Sequence, residues 1–293
     1  MNSIKIPKEK IDVVVDTAIA TGYYMECDEQ FAIGYLLRKE NFDIKAFYLE
    51  LTQDEHWLDC RKRGVTDLLD ATDKKDMYNI ITKGGTRRLD INNPEKSEPA
   101  IDLINRAKNY TTENPLYVFA IGPLTNIGTA LTIDPTIEDK IVVVWVGGHS
   151  FDHPDTAEYN LICDLDATNV VFNSNVPLIL IPCRGVSEKL VVKAKDFEDT
   201  CSGRNQLCDY IIDYLHKMAP EQEQFNNLNR IIWDGVIGPL FTQKEQELVQ
   251  YEICDRPYVT EDKHWAFRDD CRKIIYVKDI DADKVRDDMI NSL

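Results

Sequence analysis

The sequence has no run of about 18 consecutive apolar residues, which a membrane-spanning helix would need. Its N-terminus, MNSIKIPKEK, also lacks the apolar core of a secretory signal peptide, so we expect a cytoplasmic protein that does not span a membrane. Eight cysteines occur without a C-x-x-C pair, and the closest two are Cys201 and Cys208. In a chain of 293 residues this scatter indicates reduced thiols, not a disulfide framework or a cysteine zinc site.

Basic residues are scarce relative to acidic ones. The chain has 34 Lys and Arg residues against 51 Asp and Glu residues, which gives a formal charge of −17. Such a surface repels phosphate backbones and excludes general nucleic-acid binding. It is compatible with a small neutral or cationic ligand. Solubility alone is a sufficient explanation of the charge, so it does not identify a ligand.

Strand-like and helix-like segments alternate along the chain. We find no internal repeat, low-complexity segment or long linker, so residues 1–293 are expected to form one domain. A charged stretch, 192–224, is expected to form outlying helices. The alternation predicts an α/β fold with an open, mostly parallel central sheet and helices on both faces. Apolar runs predict strands at 13–15, 44–51, 116–120, 140–146 and 177–182, and helical patterns occupy 63–71 and 164–173.

The first of these units places carboxylates at the end of a strand. Asp16 follows the β-branched run Val13–Val15, and Asp28 with Glu29 opens the next helix after a polar loop. Ligands of open α/β sheets bind at the carboxyl ends of the strands, which makes these residues site candidates. A turn residue and a helix cap would explain Asp16 and Asp28 equally well.

Three later motifs stand out: IGPLTN (121–126), GGHSFDHPDTAEYN (147–160) and IIWDG (231–235). Two shorter stretches accompany them, KGGTRRL from Lys83 and SEPAIDLI from Ser97. In order and spacing, from about residue 11 to residue 241, this set resembles the inosine-uridine-preferring nucleoside hydrolase family. The resemblance implies an enzyme that hydrolyses the N-glycosidic bond of ribonucleosides and releases a nucleobase and ribose. It also implies a calcium ion at the floor of the pocket and a homo-oligomer, either a dimer or a tetramer.

The resemblance implies roles for the opening motif, which the family writes D-x-D-x-x-x-D-D. Asp16 matches its first aspartate, and Ala18 replaces the second, which the family uses as metal ligand and general base. Asp28 would bind a ribose hydroxyl, act in catalysis with Asp16, and be a calcium ligand together with Glu29. Glu26, which lies in a longer loop, and Asp28 are the two candidates to replace the lost base.

The later motifs imply the rest of the site. The Thr125 carbonyl and Asp234 would complete the metal ligands, although Asp234 also suits a helix cap. Asp152 would lie on the 5′ side of the sugar, and Trp233, at a position where several members have a histidine, would stack on the base. The ribose hydroxyls would be bound by Glu158 and Asn160.

Other polar residues of these motifs have weaker cases. Gln53 lies near a family asparagine at the end of the second strand. His149 and His153 are expected to be exposed bystanders, and Cys27 and Cys163 have no partner histidine that would make them nucleophiles.

Two functions from different classes follow. The first is a ribonucleoside hydrolase with a remodelled site, which a modified nucleoside such as queuosine would fit. The second is a catalytically silent relative that binds a ribosylated ligand. Because Ala18 removes a charged ligand, and calcium affinity rises with ligand charge, we predict weak calcium binding or an empty site.

Overall fold

The computed structural model of the chain describes residues 6–22, 24–243, 246–269 and 272–293. Residues 1–5, which belong to the segment predicted to lack a signal peptide, lie outside the described residues. The strands are β1 (Ile11–Thr17), β2 (Phe42–Leu49), β3 (Ile81–Thr82), β4 (Leu116–Ile121), β5 (Ile141–Val146), β6 (Leu178–Ile181), β7 (Val191–Lys193), β8 (Asn229–Ile231), β9 (Val249–Asp255), β10 (Pro257–Val259), β11 (Trp265–Phe267) and β12 (Lys273–Ile280). The helices are α1 (Asp28–Arg38), α2 (Glu55–Ala71), α3 (Glu98–Ala107), α4 (Thr125–Ile133), α5 (Tyr159–Cys163), α6 (Leu165–Asn173), α7 (Ala194–Cys201), α8 (Gln206–Met218), α9 (Gln222–Asn226), α10 (Pro239–Thr242) and α11 (Ala282–Ser292).

Eight of these strands form the central sheet, in the order β3-β2-β1-β4-β5-β6-β12-β9. Each neighbouring pair is parallel except β12 with β9, which is antiparallel. The predicted fold class, an open and mostly parallel sheet, is therefore confirmed. The chain leaves β1 for β2 and β3 on one side and returns to β4 on the other. Such a reversal marks the place, at the carboxyl ends of β1 and β4, where open α/β sheets bind ligands.

Helices cover both faces of the sheet. Successive strand residues point to opposite faces, so each strand contributes to two core clusters. On β1, Val13 and Val15 belong to one core cluster and Val14 belongs to the other. The first cluster includes Phe31 of α1, and the second includes Leu103 of α3. All five side chains are fully buried, and each stabilises the fold by about 1.5–3 kcal/mol on burial.

Two details differ from the sequence prediction. Helix α2 begins at Glu55 rather than near Arg63, because the Asp54 side chain accepts a 2.8 Å hydrogen bond from the Trp57 N–H and caps the extra turns. The segment 192–224 is not outlying. It places Phe197 at 0% exposure in the same core as β1, since its apolar residues recur at helical spacing among the charges. In the described part of the chain, no helix combines the length and apolarity that a bilayer crossing requires.

Candidate active site

Asp16 lies at the carboxyl end of β1 and has no solvent exposure. One of its oxygens, Oδ2, accepts a 2.9 Å hydrogen bond from Nδ2 of Asn126, which also donates to the Leu49 carbonyl at 3.1 Å. Asn126 can reach both strands because α4 starts directly after β4, the neighbour of β1. The other oxygen, Oδ1, has no donor. Burial raises the pKa of Asp16 to about 6, although the neighbouring Glu50 side chain, the Asn126 donor and the Arg61 charge lower it.

Glu50 is a second buried carboxylate at this edge, and the sequence analysis missed it. It follows β2, its N–H donates to the Thr17 carbonyl at 3.0 Å, and it is 1% exposed. Neither of its carboxylate oxygens has a hydrogen-bond donor. Burial, followed by the nearby Asp16 carboxylate, raises the pKa of Glu50 well above its usual value. Gln53, the polar residue singled out in this region, is exposed.

Arg61 brings a positive charge to the same edge from α2. Its Nη1 donates to the Ala18 carbonyl, and its Nε donates to the Leu51 carbonyl at 3.1 Å. The guanidinium is thus fixed by backbone acceptors. Its charge lowers the pKa of three neighbouring carboxylates, in opposition to burial: Asp16, Glu29 and Glu50.

A second group of acidic side chains lies at the same edge as Asp16 and Glu50. Asp28 and Glu29 begin α1, and Asp234 is 4% exposed in the short 3₁₀ helix Trp233–Val236. The Thr17 hydroxyl donates to Oε1 of Glu29 at 2.6 Å. Burial raises the pKa of Asp28 to about 7 and, with the Asp28 charge, that of Glu29 to about 8. Burial first, and then the charges of Asp28, Glu29 and Glu158, raise the pKa of Asp234 well above its usual value.

Glu158 is held by backbone donors and caps α5. Its carboxylate accepts hydrogen bonds from the N–H groups of Gly148 (3.0 Å), Asn160 (2.8 Å) and Leu161 (3.1 Å). Gly148 has φ +65°, and a Cβ atom there would lie 2.6 Å from the Trp265 ring, so the turn requires glycine. The Asn160 side chain donates to the Val146 carbonyl at 3.2 Å. Burial raises the pKa of Glu158, and these donors lower it.

Thr125 enters this edge at the first turn of α4. Its hydroxyl donates to Oδ2 of Asp164 at 2.8 Å, and the same oxygen accepts the Leu89 N–H at 2.8 Å. Asp164 is 2% exposed and also caps α6. The Thr125 hydroxyl is therefore occupied in a structural hydrogen bond, which leaves its carbonyl as the group to consider for a ligand.

Most of the sequence matches the model of a known family. A sequence model of the inosine-uridine preferring nucleoside hydrolase family matches residues 26–245. This chain belongs to that family. A Dictyostelium discoideum protein described as a probable ribonucleoside hydrolase is 28% identical over 130 residues, which cover 40% of this chain and 38% of that protein. The match thus spans less than half the length of this curated relative.

Solved structures of nucleoside hydrolases share the fold. A plant nucleoside hydrolase superposes with a TM-score of 0.75 over 98% of this chain and 99% of that chain, at 16% identity. The type III effector protein XopQ, complexed with adenosine diphosphate ribose, superposes with a TM-score of 0.65 over 98% of this chain and 94% of that chain, at 12% identity. At these identities the likeness concerns the fold alone.

The remaining residues expected from the family motifs are more exposed than the buried carboxylates described above. Glu26 forms an exposed ion pair with Arg230, which also donates to the Met25 carbonyl at 2.8 Å. Asp152 is exposed and accepts a 2.6 Å hydrogen bond from the Ser150 hydroxyl. Glu26 is thus paired with Arg230, whereas Glu50 adjoins the space beside Ala18. Trp233 is partly buried and packs against the core beside Asp234.

The two cysteines near the site are not activated thiols. Cys27 is 1% exposed, and burial raises the pKa of its thiol. Burial also raises the pKa of Cys163, the largest effect on that group. A thiol becomes a nucleophile when its pKa is lowered, so neither residue is suited to that role.

Proposed function

We propose that this chain hydrolyses the N-glycosidic bond of ribonucleosides. The observation that carries the proposal is the convergence of four carboxylates at the carboxyl edge of the sheet, three of them buried and Glu29 partly exposed. Each of these carboxylates either raises the pKa of another member of the set or has its own pKa raised by one. The four groups therefore lie close enough to interact electrostatically. They are Asp28, Glu29, Glu158 and Asp234.

Such a set suits the charge that develops during this reaction. Cleavage of the bond between the anomeric carbon and the base nitrogen gives the ribose oxocarbenium character, which is positive. Preorganised carboxylates in a water-excluded site stabilise that charge. Asp28 and Asn160 would also accept or donate hydrogen bonds to the ribose hydroxyls, with Asp152 at the 5′ side and Trp233 against the base.

The donor types at this edge suit a calcium ion, but no three of the carboxylates described above offer oxygens within 4.8 Å of one another, which supports the prediction of weak binding. Calcium takes about six to eight hard oxygen ligands. Asp28, Glu29, Asp234 and the Thr125 carbonyl offer such oxygens, and the mutual repulsion of the buried carboxylates would be relieved by a cation. A bound calcium ion would lower the pKa of a water molecule and orient ribose hydroxyls.

We assign the role of proton acceptor to Glu50, since Ala18 cannot fill it and Glu26 is paired with Arg230. In this step, the water oxygen bonds to the anomeric carbon as the carbon–nitrogen bond breaks, and the electron pair leaves with the base. One proton of the water passes to a Glu50 oxygen, and the leaving base takes a proton from solvent. Asp16 lies beside Glu50 and raises its pKa. The hydrogen bond from Asn126 holds the Asp16 carboxylate in that position.

The finer expectations belong to the same proposal. The base specificity, including a modified nucleoside such as queuosine, depends on the loop between β1 and α1. We also propose a dimer or tetramer that acts in the cytoplasm. Free, buried cysteines such as Cys60 and Cys201 suit a reducing compartment.

The second candidate is a silent protein that binds a ribosylated ligand without cleaving it. Ala18 favours this function because it removes the usual base. The likeness of fold to a protein complexed with adenosine diphosphate ribose gives the candidate a concrete ligand to test.

A release assay separates the two candidates. Purified protein is incubated with a panel of ribonucleosides, with calcium and with a chelator, and free base is measured. We expect base release that Asp234→Asn abolishes while the matched exposed variant Asp139→Asn retains it. Tight binding of a ribonucleoside or of adenosine diphosphate ribose, without release of any base, would establish the silent candidate instead.

A further inference from the structure

Two histidines and an aspartate form a compact group in the loop that follows β5. One ligand atom from each of His149, His153 and Asp155 lies within 4.8 Å of the other two. Within the ranges that the structure describes, no other three His, Cys, Asp or Glu side chains meet this condition. The sequence analysis expected both histidines to be exposed bystanders, which is wrong for His149, since it is 7% exposed.

The His149 ring is buried without full hydrogen bonding. Its Nδ1 atom has no partner, although it is inaccessible to solvent. The ring centroid lies 4.5 Å from that of His153, at an interplanar angle of 62°. A buried polar atom without a hydrogen-bond partner destabilises the fold, and a ligand bound to Nδ1 would remove that cost.

His153 is oriented in the way that metal-binding histidines usually are. Its Nδ1 lies 2.8 Å from the Asp155 carbonyl oxygen, and an Nδ1–H would donate to that acceptor. The Nε2 lone pair is then left available. A histidine that binds a metal through one nitrogen typically donates its other N–H to a carbonyl or carboxylate, which fixes the ring.

We propose that His149, His153 and Asp155 form a site for a divalent transition metal of the Zn²⁺ type. Two imidazoles and one carboxylate suit such ions, and three protein ligands leave a position for water. Bonds of about 2.1 Å place tetrahedral ligands roughly 3.4 Å apart, so small side-chain rotations would close the site from its present spacing. The nitrogen ligands distinguish it from an all-oxygen site for calcium.

This site lies in the loop that positions Glu158. His149 follows Gly148, whose N–H donates to the Glu158 carboxylate, and its own N–H donates to the Thr156 hydroxyl at 3.0 Å. Asp155 lies at the other end of the loop, three residues before Glu158. A metal bound here would join the two ends of the loop that holds Glu158 in place. Nearby Arg184 opposes the binding of a cation, and the Asp155 carboxylate offsets it.

The test uses the metal alone, so its result does not depend on the hydrolase proposal. Reduced, metal-free full-length protein is titrated with Zn²⁺ by calorimetry and with Co²⁺ by absorption spectroscopy, in excess calcium. We expect one zinc equivalent that calcium does not displace, and visible cobalt bands without a thiolate charge-transfer band. His153→Gln should weaken this binding by at least about tenfold, and the matched control His56→Gln should not.

Circular dichroism and the melting temperature establish that each variant is folded. His153→Gln changes a partly exposed residue, so it carries the test if His149→Gln impairs folding. The proposal is overturned if the His149→Gln/His153→Gln protein binds zinc as tightly as the unmodified chain, or if the unmodified chain binds none.

Discussion

Glu50 and Ala18 adjoin the same small space beside Gly122. A Cβ atom added to Gly122 would lie 3.0 Å from Cγ of Glu50 and 3.3 Å from Cβ of Ala18. Gly122 has no side chain and Ala18 has only a methyl group. Together they leave the space that the Glu50 side chain occupies. An aspartate at position 18 would add a third carboxylate beside Asp16 and Glu50, and like charges in a buried site repel strongly. Ala18 and Glu50 are therefore complementary features of this chain.

Glu50→Gln should lower kcat by roughly 10² to 10⁴, with little change in KM. The amide keeps the size of the side chain but cannot accept the proton of water, and general base catalysis contributes about that factor. Steady-state kinetics on the best ribonucleoside of the panel measures it. Glu40→Gln, at an exposed position, is the control. An unchanged kcat in Glu50→Gln would exclude Glu50 as the proton acceptor.

Ala18→Asp combined with Glu50→Gln should bind calcium more tightly than the unmodified chain. We predict weak calcium binding by the unmodified chain, and the added carboxylate supplies a charged oxygen ligand. A gain of about tenfold, or about 1.4 kcal/mol, is expected by calorimetry. Tight calcium binding by the unmodified chain would show that its existing oxygens suffice.

In a chelator, the free energy of unfolding should fall as the pH rises from about 5 to about 8. The pKa of Glu29 is about 8 in the folded state against 4.5 for the ordinary group, so the folded state binds more protons between these values. Stability is then greatest below the unfolded pKa and is lost as the pH passes through the folded one. Glu29→Gln should be more stable than the unmodified chain at pH 8, by on the order of 1 to 3 kcal/mol, and similar at pH 5.

Urea unfolding at both values measures this effect. Asp139→Asn, at an exposed position, should keep the pH dependence of the unmodified chain. A difference between Glu29→Gln and the unmodified chain that is the same at pH 5 and pH 8 would contradict the assignment.

Asn126→Ala should destabilise the fold by about 1–3 kcal/mol, because it leaves Asp16 and the Leu49 carbonyl without their donor. The measurement is urea unfolding at neutral pH. Thr132→Ala removes a side-chain hydrogen bond to the Gly128 carbonyl on the same helix and is the control, with a smaller expected loss. Equal losses in the two variants would show that the Asp16 contact has no special weight.

Local patterns in the sequence were sufficient for the sheet and for naming candidate residues at its carboxyl edge. The β-branched run Val13–Val15 predicts a strand buried on both faces, and Asp16 and Asp234 were found through their motifs. Glu50 was missed because its importance depends on which strands are neighbours. The register that pairs Thr17 with Leu49 brings it to Asp16, and nothing within the LEL sequence indicates that pairing. Arg61 was missed for the same reason, since its acceptors lie on two other segments.

The parallel arrangement of β1, β2 and β4 means that the three strand ends open on one shared surface. A side chain needed at this surface can come from the end of any of the three strands. The backbone need not change when a different strand carries it. Loss of a residue from one segment is then not equivalent to loss of the capability, because a neighbouring segment can take it over. Families of this architecture are for that reason better compared by the inventory of groups at the sheet edge than by any single stretch of sequence.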